Sequence, residues 1–288
     1  MGCPTLEADL SGRTVLVTGA TSGIGRETAV ELGRLGADVL VHGRERDRGS
    51  AVVAELRGLG AEATFFAADF STLEAVRDLA ADVKDMVDRL DVLVNNAGAH
   101  FQTGQVNETG IELTFLVNHL APFLLTKQLR PAIPDGGRVV TVASRVHRRG
   151  SMDFDRLRAV DNYDGFSAYA RSKLANILFT RELARREPDI DANCLHPGFV
   201  PGSGLWRDAA LPIRMVMALL DRLPNPVVRF ATSSVAAAKT SVYLAAGESV
   251  GGTSGKYFVE CEPRQPSELA RDDELAQRLW DESEAMIE

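Results

Sequence analysis

Six short runs of apolar and β-branched residues, separated by longer helical patterns, constrain this chain more than any other feature. They are RTVLVTG (13–19), ADVLVHG (37–43), ATFFAAD (63–69), DVLVNNAG (91–98), GRVVTVAS (137–144) and DANCLHPG (191–198). Continuous apolar character, without an alternating polar face, means that both faces of each strand are covered. Strands of that kind belong to parallel sheets flanked by helices, and every intervening segment is long enough for a right-handed crossover. The expected fold class is α/β, one doubly wound domain over residues 1–288 with a mostly parallel, seven-stranded sheet whose last strand is KYFVE (256–260). RDDELAQRLWDESEAM (271–286) carries Leu275, Leu279 and Met286 on a charged helix expected to pack back on the body.

TGATSGIG (18–25) follows the first run directly and opens a helix near Ile24. A turn stripped of side chains lets backbone amides approach a pyrophosphate, and the partial positive charge of the helix N-terminus favours the anion. Strand, turn and helix in that order make the doubly wound sheet a Rossmann domain, with Gly19, Thr21, Ser22, Gly23, Ile24 and Gly25 expected at the cofactor. The second run ends His42, Gly43, Arg44, where an acidic residue would accept bonds from an adenosine ribose 2′-hydroxyl. Arginine there suits a 2′-phosphate instead, so NADP(H) is favoured over NAD(H), with Arg26 as a helper. Asp69, at the end of the third run, is placed either to accept from the adenine amino group or to cap the next helix, and Phe70 beside it is a further expected cofactor contact.

In YARSK (169–173), Tyr169 and Lys173 stand four residues apart, which puts phenol and ammonium on one face of a helix. A free tyrosine ionises near pH ~10, and a neighbouring cation lowers that value, so the pair reads as a tuned acid or base. Ser144 lies at the C-terminal end of the fifth run, where open α/β sheets place their ligands, and Asn118 lies in the helical stretch FLVNHLAPFLLT (115–126).

TGATSGIG, NNAG (95–98), Asn118, Ser144, YARSK and HPG (196–198) occur in the order and approximate spacing of the short-chain dehydrogenase/reductase family, which this chain resembles over nearly its whole length. SKLANILFTRELARR (172–186), GKYF and RLWDESE resemble its retinol-dehydrogenase-like group. The resemblance implies Tyr169 as general acid or base, Ser144 as the hydroxyl that holds the substrate oxygen, Lys173 on the nicotinamide ribose and Asn118 as anchor of a relaying water. It also implies cofactor contacts at Asn95, Ala97, Gly98, Pro197, Gly198 and Val200. The expected activity is the NADP-dependent interconversion of a ketone or aldehyde and an alcohol on a hydrophobic small molecule. Reduction of an activated C=C bond, or NADP binding without turnover, are the alternatives. The chain departs from the group where HPG continues as FVPGSGLW (199–206), in place of a threonine and an acidic residue.

A net charge of −8 argues against nucleic acid or an anionic membrane as partner. The basic run from Arg145 to Arg149 reads as a solvated loop, with a local basic patch as the alternative. Cys3, Cys194 and Cys261 lack metal-ligand spacing and suit free thiols in a reducing compartment, and MGCPTLEADL carries no basic region followed by a long apolar stretch, so a cytoplasmic location is expected. Between residues 199 and 230, Pro201, Pro212, Pro224 and Pro226 interrupt an apolar stretch expected to form a substrate lid. The family pairs through the helices that here hold Asn118 and Tyr169, and with residues 152–165 available to cover that surface the expected state is monomer or homodimer.

Overall fold

The computed structural model describes residues 3–200 and 232–288. The expected lid positions from 201 to 230 lie outside the described residues. All seven expected strands are present: β1 (Thr14–Val17), β2 (Asp38–Gly43), β3 (Ala63–Ala67), β4 (Val92–Asn95), β5 (Arg138–Val142), β6 (Asp191–His196) and β7 (Tyr257–Val259). An eighth, β8 (Glu262–Arg264), pairs antiparallel with β7, and the sheet order is β3-β2-β1-β4-β5-β6-β7-β8. The other pairings are parallel.

Each face of the sheet carries its own core. On one, α3 (Leu73–Met86), α5 (Ala121–Leu129) and α6 (Gly165–Arg186) bury Val76, Leu79, Phe123, Leu174 and Leu178. On the other, α1 (Gly23–Arg34), α2 (Arg46–Gly58) and α7 (Ser234–Ala246) bury Ala29, Leu32, Val52, Leu56, Val242 and Ala245. A single turn, α4 (Leu113–Phe115), starts the segment that continues through Asn118 into α5. Caps fix several helix starts: Thr72, Asp164 and Ser233 each accept a backbone N–H three residues on.

β8 escaped sequence reading because the turn before it is disguised. Glu260 and Cys261 both take positive φ, 53° and 64°, in a hairpin position where asparagine or glycine is the usual signal. The same turn overturns the expectation of free thiols. Cys261 is disulfide-bonded to Cys3, with Cα atoms 5.2 Å apart across 258 residues of sequence, and Cys194 alone is free and buried. Such a pairing depends on spatial proximity that spacing cannot reveal, and it removes the basis on which a reducing compartment was expected.

The C-terminal helix α8 (Asp273–Ile287) packs across α5 and α6, as its pattern requires. Trp280 stacks on Phe179 at 6.0 Å and meets Phe123 edge-on at 4.9 Å, and the Arg186 guanidinium lies 4.7 Å from its ring. Leu279 is buried, while Leu275 and Met286 pack partly buried at the edge. Ser283 bonds His119 of the Asn118 segment at 2.9 Å. Residues 152–165 are pinned through the buried Glu112, whose carboxylate accepts from Tyr163 Oη at 3.1 Å and faces Arg171 at 3.8 Å. Among the described residues, no helix is long and apolar enough to cross a membrane.

Removing the indole leaves a cavity between three helices. Trp280→Ala is therefore expected to lower unfolding free energy by about 3–5 kcal/mol, read in a urea titration as an earlier midpoint with an unchanged slope.

Candidate active site

The strand order reverses between β1 and β4, which opens a crevice beyond their carboxyl ends. Both loops entering it are the glycine-containing motifs, and they are locked to each other. Thr18 Oγ1 accepts from the backbone N–H groups of Asn96 and Ala97, each at 3.0 Å, and Asn96 Nδ2 donates to the carbonyls of Thr18 and Gly19. Gly19 and Gly23 take positive φ, and a Cβ on Gly25 would stand 2.3 Å from Asn96 Nδ2 and 2.4 Å from the Gly19 carbonyl. Gly25 therefore lets the two loops touch. Ile24 lies in the first turn of α1, and Ser22, its N-cap, spends no side-chain bond on the helix. Thr21 packs against Gly43 at the end of β2.

The adenosine side of this crevice is built by β2 and β3. His42 is buried; its Nδ1 accepts from the Gly19 N–H at 3.3 Å while Nε2 donates to the Ala68 carbonyl at 3.2 Å, which selects the neutral tautomer. Burial holds its pKa down at about 4. Phe70 stacks on the imidazole at 4.3 Å, so it supports the glycine turn through His42. Arg44 and Asp69 stand half-exposed at the strand ends, 4.0 Å apart, and Asp69 Oδ1 also accepts from Ser71 N–H. The rim thus has one guanidinium and one carboxylate facing each other.

The remaining expected residues converge where β5 meets α6. The Tyr169 phenol stands beside the Ser144 side chain, near enough for that hydroxyl to favour its ionised form. Ser144 is held from behind by His147, whose Nδ1 donates to the Ser144 carbonyl at 2.6 Å and whose Nε2 accepts from Ser267 N–H at 3.0 Å. Lys173 is buried and donates to the Val142 carbonyl at 3.0 Å, with Nζ 5.6 Å from the Tyr169 ring centre. Asn118 Oδ1 accepts from Ala99 N–H at 2.7 Å, and Nδ2 donates to the Ala99 carbonyl and to Ser172 Oγ, each at 2.9 Å. A Cβ on Gly98 would lie 3.4 Å from Asn118 Oδ1 and 3.5 Å from Lys173 Nζ, so these three groups share one small space. Leu116–Leu120 is wound as a π-helix closed by Ala121 N–H to the Leu116 carbonyl. Pro122 has no N–H to offer the Asn118 carbonyl four residues back, a local cause for the widened turn.

Asn95 faces inward rather than into the crevice: it is buried and donates to Thr126 Oγ1 at 3.0 Å. Beyond β6, Pro197 and Gly198 are partly exposed and Val200 is buried. Gly198 has φ +98°, and a Cβ there would strike Thr232 Oγ1 at 2.5 Å.

The electrostatics differ from the sequence expectation in one respect. Desolvation pushes the Tyr169 phenol above the ordinary tyrosine value, and the neighbouring Ser144 hydroxyl only partly opposes it. Burial also lowers Lys173 from 10.5 to about 8. The phenol is consequently a protonated donor at neutral pH, and the ammonium carries its charge there only by a narrow margin.

A family model described as short chain dehydrogenase matches residues 13–210. The chain belongs to the short-chain dehydrogenase family. It is similar to retinol dehydrogenase 14 of Homo sapiens, 39% identical over 96% of this chain and 87% of that protein. Among solved structures it is similar to a short-chain dehydrogenase from Burkholderia cenocepacia in complex with NADP, at 29% identity and TM-score 0.69 over 86% of this chain and 96% of that one. It is also similar to the landomycin C-6 ketoreductase LanV with bound NADP and rabelomycin, at 25% identity and TM-score 0.67 over 88% and 96%. As a short-chain dehydrogenase the chain is an NAD(P)-dependent oxidoreductase with a small-molecule substrate.

Several supporting residues of this dehydrogenase were invisible as motifs. Thr18 and Asn96 lie inside quoted motifs, yet their mutual bonds cross from β1 to β4. His42, Ser172, Asn176 and Thr232 carry no signal of their own; Asn176 becomes relevant because it donates to the Val142 carbonyl that Lys173 also uses.

Between pH 8 and 10.5 the unfolded chain holds the Lys173 proton more firmly than the folded chain, so this residue makes stability rise with pH across that window. Lys173→Met should abolish the rise. In denaturant titrations the stability of wild type relative to the variant is expected to climb from pH 8 to 10.5, and a flat difference would show that the ammonium is not desolvated.

Proposed function

We propose that this dehydrogenase interconverts a ketone or aldehyde and an alcohol on a hydrophobic small molecule, using NADP(H). The observation that carries the reading is the convergence of Tyr169, Ser144, Lys173 and Asn118 at the strand ends beside the glycine turn. The residues fit a dinucleotide: Gly19 and Gly25 let the turn close against the loop after β4, and the Ser22 hydroxyl is left unused by its helix. When bound, the nicotinamide supplies the hydride.

The protein's own part is to hold and move one proton. Reduction builds negative charge on the carbonyl oxygen, so hydroxyls of Ser144 and Tyr169 aimed at that oxygen stabilise the transition state more than the ground state. The desolvated phenol, being protonated, gives its proton to the developing alkoxide; in the oxidative direction the same oxygen receives it back. Lys173 lies close enough for its ammonium to stabilise the phenolate left behind. Its other assigned role is to bind the nicotinamide ribose. Asn118, with its side chain saturated by Ala99 and Ser172, holds the helix so that its main-chain carbonyl, deprived of a donor by Pro122, is available to a relaying water.

Arg44 supports NADP(H) over NAD(H), because the β2 end offers a guanidinium where a ribose diol would require a carboxylate. The NADP in the Burkholderia and LanV structures favours the same choice. A lipophilic substrate is supported by the retinol named for one relative and the rabelomycin held by another. α8 packs on α6 and touches Phe123 and Lys127 of α5, which favours a monomer.

Tyr169→Phe is expected to lower kcat for carbonyl reduction by about 10²–10⁴-fold while NADPH fluorescence still reports cofactor binding; wild-type turnover in this variant would remove the mechanism. Arg44→Ala should raise the KM for NADPH about tenfold, the loss of roughly one charge-assisted hydrogen bond, with the KM for NADH nearly unchanged. Equal effects on both cofactors would assign Arg44 no part in the choice.

A further inference from the structure

The basic run after Ser144 is not absorbed by the reaction described above. Arg145 and Arg148 lie on the short 3-10 turn Arg145–Arg149, β7 contributes Tyr257 and Val259, and Arg264 at the end of β8 is followed by Gln265. Together these six residues line a cavity of about 410 Å³. A water molecule occupies about 30 Å³ of liquid, so the space admits an anionic group together with part of the molecule that bears it. Lying next to Ser144 in the chain and on the β5 and β7 ends of the sheet, it adjoins the strand-end cleft.

The charges here are poorly neutralised. Arg145 has no carboxylate partner among the described residues. Arg148 donates to the Gln265 main-chain carbonyl at 2.7 Å, which anchors its side chain while leaving its charge intact. Arg264 is paired with Glu262, which is not part of the lining. The one deeply buried polar side chain of the cavity is Tyr257, only 4% exposed, with its ring edge-on to His147 at 5.2 Å. Its hydroxyl has no hydrogen-bond partner among the described residues. Burial raises its pKa, so it stays a proton donor, and both Arg148 and Arg145 act on it in the opposite sense. His196 feels the same positive field: burial chiefly, then Arg145 and His147, bring it down to about 4.

We propose that Arg145, Arg148, Arg264 and Tyr257 form an oxyanion-binding site for a phosphate or carboxylate group at the edge of the active-site cleft. Two guanidiniums without carboxylate partners, one of them anchored, supply charge-assisted bonds, and the buried phenol supplies a fixed neutral donor. The anion is carried either by the substrate itself or by a separate molecule bound beside it.

Calorimetric titration of inorganic phosphate into the NADP-saturated protein, at ionic strength matched with chloride, tests the site without reference to turnover. Saturable binding is expected in the wild type, weakened about tenfold in both Arg145→Gln and Arg148→Gln, the equivalent of one lost charge-assisted bond. These exposed positions make folding failure a small concern, and circular dichroism checks it. No saturable heat beyond that of chloride, or the same dissociation constant in both variants, would overturn the proposal. The two sources separate in kinetics with 4-carboxybenzaldehyde and 4-methylbenzaldehyde. A KM raised in the variants for the carboxylate alone assigns the anion to the substrate, whereas unchanged KM values with lost phosphate binding assign it to a separate ligand. Should neither aldehyde be reduced, the proposed reaction is in question while the calorimetry still decides the anion site.

Discussion

The contact on which this structure depends is the lock between the turn after β1 and the loop after β4. Thr18 donates to the Val94 carbonyl through its hydroxyl and its main-chain N–H, and accepts from Asn96 and Ala97. Asn96 returns two bonds to the carbonyls of Thr18 and Gly19. At a switch point the helices on either side diverge to opposite faces, so nothing from the sheet itself covers these loop amides and carbonyls. Each such group left buried without a partner would cost roughly 1–3 kcal/mol. The lock satisfies them, and the Gly19 and Ala20 amides are taken by His42. Gly25 is then required twice over, because any side chain there would wedge the two loops apart.

The same economy of bonds ties the α6 side chains to the sheet. The Val142 carbonyl, at the last residue of β5, accepts from both Lys173 and Asn176. One helical turn of α6 is therefore fixed to the strand end that leads into Ser144. Tyr169 sits one turn earlier on the same face, so its reach to Ser144 follows from that anchor and needs no loop to set it. Ser144 is in turn constrained by His147, which links it to Ser267 in the C-terminal segment. Proton donor and substrate-holding hydroxyl are thus placed by rigid elements, with positional tolerance set by packing.

What the sequence disclosed follows the same division. Strands β1 to β7 were legible because burial on both faces leaves continuous apolar runs, and the glycine turn and YARSK were legible because their chemistry lies within one turn or one helix. β8 was not, since it is three residues long, includes Pro263 on a sheet edge and follows a positive-φ turn built from Glu260 and Cys261. The Cys3–Cys261 bond joins positions 258 residues apart, beyond any spacing rule. His42 depends on register: only the pairing of β2 with β1 and β3 brings its two nitrogens to Gly19 and Ala68. For Asn95 the sequence left a cofactor contact and a structural role both open, and the buried side chain donates to Thr126 of α5. The widened turn at Asn118 had one local sign, Pro122, whose effect on the helix becomes clear only with the backbone in view.

Burial also decides which groups can change charge near neutrality. His42, His119 and His196 are held down at about 4, about 3 and about 4, each chiefly by desolvation. All three stay neutral, and the His42 and His119 rings serve as fixed hydrogen-bonding groups. Cys194, pushed up to about 12 by burial, is inert as a thiol. Lys173, brought down to about 8, titrates closer to physiological pH than these groups do. Its ammonium donates a hydrogen bond to the Val142 carbonyl, and Asn118 and Gly98 bound the remaining space. A dinucleotide ribose hydroxyl brought against that ammonium would add an acceptor and steady the charged form, whereas filling the space with a Gly98 side chain would press on the amine itself. Cofactor binding and the electrostatics of the neighbouring phenol are therefore coupled through one buried amine, and the packing that makes the cation costly to hold also makes it sensitive to what lies beside it.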